Sequence, residues 1–243
     1  MRMPRFYIEQ PLAVGVSVNL PETTFRHAIQ VLRLSVGESL MLFNGAEGDY
    51  VAELTSISKK AATVSISACL PVANESPIAI TLAQAVIKPD KMDFALQKAV
   101  ELGVNTIQPL ITQRSVVRMN KEQAEKKVQH WQGIVQAACE QSGRITLPSV
   151  LAPLSLENWL QQTFQGTRLM LGIGDYPRLG ELPVDLPTPF ALVIGPEGGF
   201  TDEETEACLA AKVQGVSLGK RVLRAETATL AALALIQHRF GDL

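Results

Sequence analysis

Between Pro71 and Pro77 the chain changes its hydrophobic rhythm, and the two rhythms do not belong to one sheet. Upstream, residues 6–8, 15–20, 39–43, 50–57 and 61–68 carry β-branched or alternating apolar side chains. Asn44-Gly45 and Glu47-Gly48 punctuate them as turns, and one helix, 21–32, interrupts. Short strands packed this densely predict a small barrel. Downstream, strand and helix alternate, which specifies an α/β fold with a mostly parallel sheet. The stretch 71–77 has a Pro at each end and no apolar period, so it reads as a linker between domains at 1–72 and 77–243.

Within the second part, residues 78–86 are apolar and nearly uncharged, as expected for a strand covered on both faces. A helix over 90–102 stops at Gly103, a strand follows at 106–111, and a long amphipathic helix covers 122–141. Further strands are expected at 169–172, 190–194 and 213–218, with helices at 156–165 and 202–211. The last helix, 227–240, is apolar nearly all round and is expected to be deeply buried. In sheets of this kind ligands bind beyond the C-terminal ends of the strands.

Composition excludes several classes. The 243 residues are 47% hydrophobic and 19% charged, which does not fit a disordered chain. The longest apolar runs fall well short of the roughly 20 residues that span a bilayer. Arg2 and Arg5 open a segment without an apolar core, so no secretory signal is expected and a cytoplasmic location is. Cys69, Cys139 and Cys208 are odd in number and far apart, which suits buried free thiols in a reducing compartment and predicts no metal site. His27, His130 and His238 share no ligand or triad spacing. The net charge is −2, yet residues 76–150 hold nine Lys/Arg against six Asp/Glu, so a local basic face or a solvated helix would both fit.

Two loops carry the chemistry. Ile194-Gly195-Pro196-Glu197-Gly198-Gly199-Phe200 follows a buried strand, and its glycines allow a ligand close to bare backbone. Thr201 and Glu204 then form a capping box at an acidic helix start, which disfavours an anionic phosphate there. The second loop, Leu218-Gly219-Lys220-Arg221-Val222-Leu223-Arg224-Ala225-Glu226-Thr227, sets three cations at another strand's end. Each alone could be an ordinary strand-to-helix turn, with Thr227 a simple N-cap; together they predict a shared pocket.

These paired motifs resemble the cofactor-binding loops of the SPOUT methyltransferases, and most closely those of the ribosomal small-subunit RNA uridine-N3 methyltransferases. The resemblance extends to the opening Met-Arg-x-Pro-Arg, His27-x-x-x-Val31-Leu32-Arg33, Gln97-Lys98-Ala99-x-Glu101-Leu102-Gly103-Val104, Ala137-Ala138-Cys139-Glu140-Gln141-Ser142-Gly143-Arg144 and the closing Arg239-Phe240-Gly241-Asp242-Leu243. It implies a PUA-like β-barrel, a C-terminal trefoil knot, an obligate homodimer and S-adenosylmethionine as cofactor. It also implies 16S ribosomal RNA, or the small ribosomal subunit, as partner. By position it assigns the cofactor to Leu171, Gly172, Ile194, Gly195, Pro196, Glu197, Gly198, Gly199, Leu218, Gly219, Val222, Leu223 and Thr227, with an apolar cup from Leu218, Val222 and Leu223.

Methylating uracil N3 requires loss of an imide proton, so a base or a cation that stabilises the anion is needed. Arg224 is the expected cation, and Glu197 and Glu226 are the carboxylates placed to take the proton or, more simply, to brace the loops. RNA contacts are expected at Arg2, Arg5, Arg33 and Arg144. Trp131 and Trp159 are expected in the core, whereas Phe6-Tyr7 could stack on bases. A non-catalytic RNA-binding assembly factor and a transfer-RNA 2′-hydroxyl methyltransferase are the competing readings.

Overall fold

The structure is a computed structural model that describes residues 3–115, 119–183, 185 and 188–243. The chain divides into two compact units, Met1–Glu75 with Cys139–Leu147, and Ser76–Ala138 with Pro148–Leu243. The contribution of Cys139–Leu147 to the first unit has no signal in the hydrophobic rhythm.

In the first unit β1 (Arg5–Tyr7), β2 (Ser17–Asn19), β3 (Ser39–Phe43), β4 (Gly48–Ile57) and β5 (Ala62–Pro71) form, among the described residues, a sheet of order β1-β3-β4-β5-β2. Only the β1–β3 pair is parallel among the recorded ladders of this sheet; β3, β4, β5 and β2 pair antiparallel. Alternation places Leu40 and Leu42, Ala52 and Leu54, and Val64 and Ile66 in one apolar core. The expected helix over 21–32 is present in two states: α1 (Glu22–Phe25) is α-helical, and Arg26–Val31 continues as a π-helix. Arg33 follows with φ of 58°, an unusual conformation for a side-chain-bearing residue.

Arg5 is the hub of this unit. Its guanidinium is buried, pairs with Asp49 at 2.7 Å, and donates to the carbonyls of Cys139 at 2.8 Å and Arg144 at 2.9 Å. Its Cζ lies 3.7 Å from the centroid of the Phe43 ring. Arg144, also buried, forms an ion pair with Glu75 at 2.7 Å, and the same carboxylate accepts from the backbone N–H groups of Ile145 and Thr146. The expected linker is therefore pinned: Asn74 donates to the Gly143 carbonyl and Glu75 holds the following turn. Arg5 and Arg144 are corrections to the expected RNA contacts, because buried charges with satisfied partners have no free face for a phosphate. Phe6 is likewise core, 2% exposed and edge-on to His27. Arg33 is exposed, and Arg2 lies outside the described residues.

The second unit begins with β6 (Ile80–Ala85), α2 (Pro89–Glu101), β7 (Thr106–Ile111), α3 (Lys121–Ser142, of which residues 139–142 count with the first unit), β8 (Ser149–Val150), β9 (Leu154–Ser155) and α4 (Leu156–Leu160). It continues through β10 (Thr167–Leu171), β11 (Phe190–Ile194), α5 (Asp202–Ala210), β12 (Gln214–Val216) and α6 (Ala225–Phe240). The described strands run in the order β12-β10-β11-β6-β7-β8, with β9 also on β7, and every recorded pair is parallel. Both faces are covered, as the uncharged strands predict. Ala191 and Val193 of β11 join the core under α4 and α5, with Trp159 and Cys208. On the other face Phe190 meets Phe240 of α6 at 4.8 Å between centroids, and Thr229 of α6 donates to Gln84 of β6 at 2.7 Å.

Two helices differ from expectation. α4 ends at Leu160, short of residue 165, and a turn leads into β10. α6 starts at Ala225, so Thr227 sits inside its first turn and Arg224 takes the N-cap position. α6 is also not fully buried: Leu235 is 36% exposed and His238 is exposed. No helix among the described residues is long and apolar enough to cross a membrane.

The thiols give a direct check on these cores. Burial pushes Cys139 up to about 12 and Cys208 up to about 11, with nearby Arg144 and Arg168 respectively opposing the rise. Both thiols therefore stay protonated in the folded protein at pH 8. In the unfolded chain they ionise near the ordinary value of 9.0. Because the folded state then holds more protons, these groups make stability fall as pH rises from about 9 towards 11–12. Native labelling with a thiol-reactive disulfide at pH 8 is expected to modify the half-buried Cys69 and spare the other two. Rapid labelling of all three would contradict the described packing.

Candidate functional site

The C-terminal ends of β10, β11 and β12 open onto one cavity of about 910 Å³, within the range of ligand sites. The glycine loop after β11 and the cationic loop after β12 both line it, although β10 separates their strands. Every residue expected at the cofactor lines this cavity except Thr227, which is exposed on α6 away from it. Leu218 and Leu223 are half-buried, whereas Val222 is 74% exposed, so of the expected apolar cup Val222 contributes the least buried surface.

The capping box is formed as expected. Thr201 accepts from the Glu204 N–H, and the Glu204 carboxylate accepts from the Thr201 N–H at 3.0 Å. With Asp202 and Glu203 in the same turn, this helix start repels anions. Bonding from the Thr201 side chain holds the exposed Glu203 carboxyl below its ordinary value. Glu204 also accepts from the Gln113 N–H at 2.8 Å, and Arg114 donates to the carbonyls of Gly198 at 2.9 Å and Phe200 at 3.1 Å. The turn after β7 thus clamps the first glycine loop.

Two loop positions call for glycine through backbone conformation and not through crowding. Gly199 and Gly219 have φ of 69° and 103°, the left-handed region. A Cβ at either would meet no atom within 4 Å, so both present bare backbone beside the cavity. The lining combines this bare backbone with apolar Leu218 and Leu223 and with charges of both signs, among them Lys91, Arg224, Glu197 and Glu226.

The three residues expected to act chemically all line the cavity. Glu197 accepts from the Lys88 N–H at 3.1 Å, which is a bracing contact. Glu226, buried at 7% exposure, faces the Lys91 ammonium at 3.5 Å. Arg224 is exposed, and its side chain caps no backbone group of α6. Lys88, Lys91, Arg114 and Tyr176 also line the cavity; they lie outside both motifs, so only the fold brings them there, whereas Arg221, which lines it too, stands inside the second loop.

Comparison with known proteins places the chain in a family. The family model described as RNA methyltransferase domain matches residues 74–237, and that described as RNA methyltransferase PUA domain matches residues 20–67. The ribosomal RNA small subunit methyltransferase E of Buchnera aphidicola (Schizaphis graminum strain) is 33% identical over 243 residues, covering 100% of this chain and 98% of its own. A solved structure of ribosomal RNA small subunit methyltransferase E from Neisseria gonorrhoeae, bound to S-adenosylmethionine, superimposes with a TM-score of 0.92 at 42% identity over 100% of both chains. A methyltransferase from Legionella pneumophila with the same cofactor bound gives 0.96 at 39% identity, again over 100% of both chains.

Proposed function

From the premise that this chain belongs to the family of ribosomal RNA small subunit methyltransferase E, we propose that it methylates N3 of a specific uridine in 16S ribosomal RNA. The observation that carries the reading is the convergence of the two loops on one cavity of suitable size, lined by bare glycine backbone. S-Adenosylmethionine, bound there, supplies an electrophilic methyl group. The backbone of the glycine loops, with Leu218 and Leu223, would hold it, and Leu171 and Gly172 would form the third side.

The remaining chemistry belongs to the chain's own residues. Arg224 projects from the N-cap of α6 with no competing cap bond, so its guanidinium is free to face the uracil oxygens, where negative charge accumulates as the N3 proton leaves. Glu226, beside Lys91, and Glu197, which accepts from the Lys88 N–H, are the carboxylates at the cavity that would take the proton or brace the loops. RNA would approach over the rim bearing Arg114, Arg221 and Arg224; in the first unit the exposed Arg33, just past the π-helix, is a separate candidate contact. N3 lies on the pairing edge, so the target uridine must be unpaired or flipped. The reading includes the trefoil knot and a homodimer, the latter tested by sedimentation velocity.

Calorimetry with S-adenosylmethionine is expected to give saturable binding, and no heat at any concentration would favour a non-catalytic assembly factor. Reverse transcription across 16S RNA from a deletion strain, before and after incubation with the protein, locates the methyl group. An N3 product blocks pairing and stops the polymerase at a uridine, whereas a 2′-hydroxyl product leaves pairing intact and would overturn the assignment. A paired duplex target is expected to be inert.

A further inference from the structure

The wall of the cavity on the β10–β12 side contains an aromatic ring that the chemistry above does not use. We propose that Tyr176 sets the width of the cofactor cavity on this side, and that Gly172 and Gly215 are recesses that seat its ring. The inference rests on the reading that S-adenosylmethionine occupies the cavity.

The ring is held at both edges. A Cβ on Gly172 would lie 2.6 Å from Tyr176 Cε2, and one on Gly215 would collide with the opposite edge, at Cδ1 and Cε1. The two glycines belong to neighbouring strand ends, since β10 pairs with β12 in the register Met170 to Gly215 and Leu171 to Val216, and Gly172 donates to the Val216 carbonyl at 2.9 Å. The backbone around the ring is tied to the same strand end. Ser217 donates through its hydroxyl to the Tyr176 carbonyl at 3.0 Å and through its N–H to the Pro177 carbonyl at 2.9 Å. Ser217 in turn accepts from the Leu179 N–H at 3.0 Å. Residues 173–175 beside it are exposed, with Ile173 at 71%, so the loop itself contributes little packing. Tyr176 is the point at which this loop both packs against the core and lines the cavity.

Gly215 makes the assignment specific. It lies inside β12 and its φ is outside the left-handed region, so its backbone does not require glycine. It also does not line the cavity. What excludes a side chain there is the Tyr176 ring. A methyl group at position 215 must therefore displace the ring, which itself lines the cavity, and overpacking of this kind is not absorbed without movement.

The test is a double-mutant cycle read by calorimetry of S-adenosylmethionine binding to the full-length protein, with thermal unfolding run on each variant. Gly215→Ala and Tyr176→Ala are each expected to weaken binding about ten-fold. In the Tyr176→Ala background Gly215→Ala should add nothing, because its effect passes through the ring. Tyr176→Phe should restore the affinity lost in Tyr176→Ala to within about two-fold, since it keeps the ring. Unaltered affinity in Tyr176→Ala, or an equal penalty for Gly215→Ala with and without the ring, would overturn the proposal. If Gly215→Ala does not fold, the comparison of Tyr176→Ala with Tyr176→Phe decides alone, and equal affinities sink the idea. Failure of the unmodified protein to bind the cofactor is a separate outcome that removes the parent reading.

Discussion

Arg224→Ala is expected to lower kcat by about two to three orders of magnitude, the usual cost of removing one preorganised charge-stabilising group, while leaving the melting temperature unchanged. The two halves of this expectation have separate causes. Arg224 lines the cavity and is exposed, so its guanidinium is available to the developing oxyanion of the uracil. It makes no side-chain cap bond to α6, whose first turn instead carries the buried Glu226, so the helix loses no bond when it is truncated. Arg224→Lys should recover only part of the rate, because an ammonium lacks the planar fork that meets an oxygen at two donors. Single-turnover methylation of 16S RNA with saturating cofactor measures this step. A truncated variant that turns over at the full rate would remove Arg224 from the mechanism.

Arg5→Ala is expected to destabilise the first unit by about 3–5 kcal/mol, the cost of breaking a buried ion pair from one side. The side chains of Arg5 and Asp49 are 5% and 12% exposed, so the aspartate would be left in the core without its partner. Two carbonyls, those of Cys139 and Arg144, would lose their donor as well. Replacing both charges, as in Arg5→Met with Asp49→Leu, should recover only part of the loss, because those carbonyls remain unsatisfied. Urea unfolding followed by a probe in the first unit checks the magnitude. A variant with unchanged stability and weakened RNA binding would return Arg5 to the expected RNA contacts.

The contrast between these two arginines shows what a linear reading captures. Arg224 was legible because it stands inside a motif whose spacing is local: strand, loop, helix start. Arg5 and Arg144 were misread because their partners, Asp49 and Glu75, lie 44 and 69 residues away, and nothing in the neighbouring residues signals burial. Tyr176 was passed over for a similar reason. One of its two glycines, Gly172, is near in sequence, but the other, Gly215, arrives only through the pairing of β10 with β12. The helix over 21–32 was found, yet its change to π-helix at Arg26 was not, since that depends on how the turn is accommodated by its surroundings.

By itself the sequence determined the elements and the two loops, because periodicity, capping and glycine placement act over a few residues. The strands at 39–43, 106–111 and 190–194 fall where their patterns put them, and the capping box closes between Thr201 and Glu204 as its spacing demands. Only the tertiary structure decided that β10 lies between β11 and β12, and so that the two loops and the Tyr176 ring border one cavity. Strand order is set by which apolar faces and backbone ladders satisfy each other across the whole chain, and no local pattern carries that information.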